Sequence, residues 1–139
     1  MKKVILALCC ALAILSISSC SLDSDEQNFQ FTVLEVVSAD FPESFDHNGI
    51  HEIEVTFTRP NDCTFFEGFE VTSPETTTRI VSTIGTILES DSCNDSLEEV
   101  SATFRFRVDY TDTYLFRFYS GTDEAGNATY LEYEVPVMQ

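Results

Sequence analysis

Apolar and polar residues alternate with a period of two through most of the chain beyond residue 28, and no run of comparable length has helical spacing. In "IHEIEVTFTR", Ile53, Val55 and Phe57 alternate with Glu52, Glu54, Thr56 and Thr58. In "EEVSATFRFRVD", Val100, Ala102, Phe104, Phe106 and Val108 alternate with Ser101, Thr103, Arg105 and Arg107. Successive side chains of a strand point to opposite faces, so each segment reads as a strand buried on one side. Five more segments fit the pattern: "FQFTVLEVVS", "CTFFEGFEVTS", "TTRIVSTIGTIL", "TYLFRFYSG" and "ATYLEYEVPV". Turn signals separate them in "DFPESFDHNG", "RPND", "SPE", "SDSCND" and "DEAGN". About seven short strands in one domain's length of chain predict an all-β, antiparallel two-sheet sandwich.

The first residues do not belong to that domain. Lys2 and Lys3 precede the 14-residue apolar run from Val4 to Ile17, and small residues follow at Ser18 and Ser19. A membrane-crossing helix needs about 20 apolar residues, so the segment reads as a cleaved secretory signal. Cys9 and Cys10 lie inside the run and leave with it.

The signal ends in "ISSC", Ile17 to Cys20, which resembles the lipobox of bacterial lipoproteins. The resemblance implies cleavage between Ser19 and Cys20 and diacylglycerol on the Cys20 thiol. Each buried lipid CH₂ adds about 0.8 kcal/mol of membrane affinity, so two or three chains anchor stably. The carboxylates of Asp23, Asp25 and Glu26 follow at once, a pattern similar to the acidic surface-export signal of Bacteroidota lipoproteins. The expected organisation is a signal at 1–19, an acidic tether at 20–29 and a single folded domain at 30–139. The expected location is the outer membrane, exposed to the cell surface.

Processing sharpens the charge. Both lysines leave with the signal, and five arginines (59, 79, 105, 107, 117) then face 24 carboxylates, a formal −19. Such a body is repelled by phosphate backbones and anionic headgroups, which disfavours nucleic-acid binding and a basic membrane patch. The membrane is expected as a partner only through the lipid.

The segment "YLFRFYSGTDEAGNATYLEYEVPV", Tyr114 to Val137, is similar to the closing hairpin of bacterial immunoglobulin-like domains. Gly126 and Asn127 tolerate positive φ there, and Asp123 can bond backbone amides to close the turn. Tyr114 fits the tyrosine corner of such sandwiches, whose hydroxyl bonds to backbone upstream. Phe116 stands where antibody domains carry their second core cysteine, and the chain has no Trp. Val55, Phe57, Phe104, Phe106, Phe116 and Phe118 are the candidates to fill that space.

Cys63 and Cys93 remain as an even pair, expected to form a disulfide that ties loops at one pole. The only histidines, His47 and His51, flank Gly49 in a polar turn. No GxSxG, HExxH or phosphate-cradling loop is present, so neither an enzyme nor a cofactor is expected. Two non-catalytic readings stay open. If the last hairpin pairs symmetrically about Glu124 and Ala125, one face sets Tyr119 beside Tyr130 and Arg117 beside Glu132, a candidate site for a glycan or protein ligand. Alternatively, Asp123, Glu124 and the Asn127 carbonyl, with Asp62, Asp91 and Asp95 near loop ends, offer the hard oxygen ligands of a calcium-stabilised envelope spacer facing the periplasm. A hydrolase is the third and weakest reading.

Overall fold

A computed structural model describes residues 28–90 and 92–138, so Cys20, the acidic tether and Asp91 lie outside the described residues. The fold is all-β, with no helix among the described residues. Its strands are β1 (Phe29–Leu34), β2 (Val36–Asp40), β3 (Phe45–Asp46), β4 (Ile50–Asn61), β5 (Thr64–Thr72), β6 (Thr78–Leu88), β7 (Asp95–Arg107), β8 (Tyr114–Thr122), β9 (Ala128–Val135) and β10 (Val137–Met138).

All seven expected segments are strands, but the described residues form ten. Two expected strands each divide where the chain changes sheets. The first divides at Glu35, whose carbonyl accepts from the Thr58 amide at 2.9 Å. The last divides at Pro136, which has no N–H to continue the ladder; its carbonyl instead accepts from the Phe45 amide at 2.8 Å. The third addition, β3, lies inside the expected turn "DFPESFDHNG" and pairs with β10. The first strand also starts at Phe29, one residue ahead of the expected domain boundary.

Antiparallel pairing holds for most of the ladder, with two corrections. Both β3–β10 and β6–β8 are parallel. The second follows from topology: β7 crosses to the opposite sheet and runs back, so β8 returns to the first sheet in the direction of β6. One sheet contains β1, β5, β6, β8 and β9, a second β2, β4 and β7, and β3 with β10 forms a small third. Strand β6 is the hub of the first. It pairs with β5 along one edge, and its other edge is shared by β8 over Thr78–Val81 and by β1 over Thr83–Leu88.

Between the sheets lies an aromatic core. Phe45, Phe57, Tyr114, Phe116 and Phe118 are fully buried with Ile53, Val55, Val81 and Val108. Phe106 packs edge-on to Tyr114 and Phe116 at 5.1 and 5.0 Å between ring centroids, a favoured aromatic geometry. Of the expected core residues, Phe104 differs: it is half-buried at the sandwich edge, against Phe69 at 5.3 Å. Phe41 and Phe45, from the segment read as a turn, fill the space instead.

Two polar devices hold one end of this core. The buried Tyr114 hydroxyl accepts from the Asp109 and Tyr110 amides at 3.1 and 3.0 Å, the corner anticipated from its position. Arg79, also buried, donates from one guanidinium nitrogen to the carbonyls of Glu75, Thr76 and Thr78.

At the opposite pole Cys63 and Cys93 form a disulfide. It joins the β4–β5 turn to the β6–β7 turn. Asp62 reinforces the junction by accepting from the Asn94 amide and side chain at 2.8 and 2.9 Å. The chain also enters the fold here, since the Glu89 amide donates to the Asn28 carbonyl at 2.9 Å.

Candidate functional site

The last hairpin has the register expected from symmetry about Glu124 and Ala125: Tyr114 opposes Val135, Phe116 opposes Tyr133 and Phe118 opposes Leu131 on the core side. On the other face Leu115 opposes Glu134, Arg117 opposes Glu132 and Tyr119 opposes Tyr130. The three candidate residues therefore meet. Arg117 Nε donates to Glu132 Oε1 at 2.8 Å, and its guanidinium carbon lies 4.7 Å from the Tyr130 ring centroid. Tyr119 meets Tyr130 edge to face at 6.4 Å.

Local sequence positions this cluster. Alternation in "LFRFY" turns Phe116 and Phe118 inward and so obliges Leu115, Arg117 and Tyr119 to face outward. Directly after Tyr119 the ladder shifts register, a bulge that ends at Gly121. Gly121 has φ 115°, and a Cβ there would come within 3.1 Å of the Glu35 carboxylate. The positive φ favours glycine there, while the Glu35 side chain would have to give way to a Cβ.

The cluster continues into an apolar surface that sequence reasoning missed. Residues facing each other across a ladder lie on one side of the sheet, so Phe31, Thr86 and Phe65 form a row. Val33 with Ile84 and Phe29 with Leu88 form two more. Through β6 these rows share the outer face with Ile80, which opposes Arg117. Phe31 is 71% exposed and Phe29 55%. Two depressions border the cluster, one at Arg117 and one at Tyr119. One, about 360 Å³, is lined by Pro74, Glu75, Thr78, Ile80, Leu115, Arg117 and Glu132. The other, about 340 Å³, has Tyr119 on its wall with Thr32, Val33, Leu34, Glu35, Thr58, Pro60 and Leu97.

Of the candidate calcium ligands, Asp123, Asp62 and the Asn127 carbonyl have other partners. Asp123 Oδ1 accepts from the Ala125 and Asn127 amides at 2.9 and 2.8 Å, and the Asn127 side chain donates to Oδ2 at 3.2 Å. These bonds, chiefly those from Asn127, hold the Asp123 carboxyl below the ordinary aspartate range. Asp62 is lowered in the same way by Asn94. Both carboxylates close turns. One group of potential ligand atoms joins Asp62 to Cys63 and Cys93, but the cysteines there are committed to the disulfide. The histidines do not converge on a site either. The His51 ring accepts from the Asp46 amide at 3.2 Å, while His47 bonds the side chain of Asn48.

No protein-family model matches this chain, and comparison with curated proteins and with solved structures likewise finds no match.

Proposed function

We propose that the protein is a lipoprotein, anchored through Cys20 to the outer membrane and displayed at the cell surface, whose sandwich is a non-catalytic binding module. The observation that carries the binding reading is the Arg117–Tyr130–Tyr119 cluster set beside the exposed Phe31, Val33 and Phe65. Tyr, Phe and Arg are the side chains that dominate protein interfaces. Arg117 already lies over the Tyr130 ring, which leaves less of that face for a sugar to stack on. A protein ligand is therefore preferred over a glycan. The carboxylates expose the ligand to a strongly negative field, so its contacting surface is neutral or basic.

The sandwich itself is proposed as immunoglobulin-like. Antiparallel β2–β4–β7, the parallel β3–β10 pair, the β8–β9 hairpin and the Tyr114 corner support that relationship. The position of β6 between β5 and β8 departs from it, because the immunoglobulin order sets the third and sixth strands side by side.

The test is photo-crosslinking in intact cells, with a photoreactive phenylalanine analogue placed at Tyr119, at Tyr130 or at Glu54 on the opposite sheet. The binding reading expects adducts to one protein from the first two positions and none from Glu54. Adducts from neither tyrosine position would remove the binding role, and transfer of the label to polysaccharide would replace the protein ligand by a glycan.

A further inference from the structure

Strand β7 is the longest in the fold, 13 residues, and it lies at the edge of its sheet with β4 as its partner. Among the described residues no strand pairs with its other edge. An open edge of this length presents a row of unpaired amides and carbonyls, which folded proteins usually blunt with scattered charge. Here the charge is sorted instead. Asp95, Glu98 and Glu99 occupy the first part of the strand, Arg105 and Arg107 the last.

We propose that β7 pairs antiparallel with β7 of a second copy of this chain, joining the two three-stranded sheets across a two-fold axis. A strand that is acidic at one end and basic at the other is complementary to itself when reversed, and a two-fold contact uses the same strand twice. The side chains also select the register. Centred on Ala102, the pairing sets Arg105 opposite Glu99 and Phe104 opposite Val100, each twice. Two-residue shifts set Arg107 opposite Asp95 in one direction and opposite Glu99 in the other, but Arg107 is already paired with Asp109. Of these three registers, the one centred on Ala102 therefore joins two charges that take part in no other ion pair among the described residues. A one-residue slip would bring solvent-facing residues opposite core-facing ones.

Two further observations favour this register. Arg59 pairs with Glu98, Arg107 with Asp109 and Arg117 with Glu132, whereas Glu99 and Arg105 take part in none of the ion pairs among the described residues. Val100 and Phe104 are only half-buried against the core, so each gains cover from its counterpart across the axis. The mature charge opposes association of two copies, which leaves the selection of partner and register to these complementary pairs.

Sedimentation velocity of the full chain in a non-ionic detergent tests the pairing. The wild type is expected to sediment as a dimer. Glu99→Arg and Arg105→Glu, each alone, set like charges opposite one another and weaken the dimer by roughly tenfold or more. Combined in one chain they restore it, because the exchange regenerates the complementary pair. Neutral Glu99→Gln and Arg105→Gln, checked for folding by thermal melting, are expected to weaken the dimer by smaller factors. A monomeric wild type, a dimer indifferent to the single reversals, or a double variant that stays monomeric each overturns the proposal.

Discussion

The guanidinium carbon of Arg79 lies 5.1 Å from the centroid of the Tyr114 ring. Three carbonyls hold the cation in place, and the Phe106 ring lies beside it at 5.7 Å. A charge so deeply buried is costly unless its hydrogen bonds are made. Replacement of Arg79 by Lys removes the planar fork and its contact with the rings, and is expected to cost about 1–3 kcal/mol in urea unfolding.

Tyr114 acts at the same end of the core. In Tyr114→Phe the ring stays and the hydroxyl goes, leaving the Asp109 and Tyr110 amides without their acceptor. Loss of about 1–3 kcal/mol is expected in the same assay.

Thr83 should behave in the opposite sense. It is fully buried, and its hydroxyl has no hydrogen-bond partner among the described residues. Thr83→Val replaces the stranded hydroxyl by a methyl group of similar shape, and is expected to stabilise the fold by about 1 kcal/mol. Unchanged or lower stability on denaturant titration would show that the hydroxyl is satisfied after all.

The disulfide closes a loop across a sequence separation of 30 residues. The chain-entropy model assigns such a loop about 3–4 kcal/mol. Cys63→Ser with Cys93→Ser should lower stability by that order under oxidising conditions and abolish the response to reductant.

Asp123 makes the β8–β9 loop sensitive to acid. Its carboxyl is lowered in the folded state, so the stabilisation is complete above the unfolded-state value of about 4 and is lost as pH falls through the lower folded-state value. Asp123→Asn should flatten that part of the acid-unfolding curve. A chelator at neutral pH should leave the wild-type melting temperature unchanged, because the carboxylate is already held by Asn127 and Ala125.

The strand pattern was legible because alternation is a local property of the sequence. It predicted the hairpin register and so the meeting of Tyr119, Tyr130 and Arg117. Alternation does not say which sheet a strand joins. The buried parity continues from Leu34 to Val36 straight through the crossing at Glu35, so β1 and β2 read as one strand. For the same reason the outward direction of Phe29 and Phe31 was hidden: a period of two separates the faces without saying which is covered. The β3 segment was masked by its turn residues, since a two-residue strand leaves no periodicity to detect. The parallel β6–β8 pair depends on the path of β7 through the other sheet, a long-range property with no local signal.

Anchorage at Cys20 with outward display is the claim on which the binding role depends, and protease accessibility in intact cells tests it most directly. The wild type should be shaved from unbroken cells. A variant with Asp23, Asp25 and Glu26 neutralised should be protected while still lipidated, and Cys20→Ala should leave the membrane fraction. A wild-type chain protected in intact cells and cleaved only after they are opened would contradict surface display and favour a role inside the envelope.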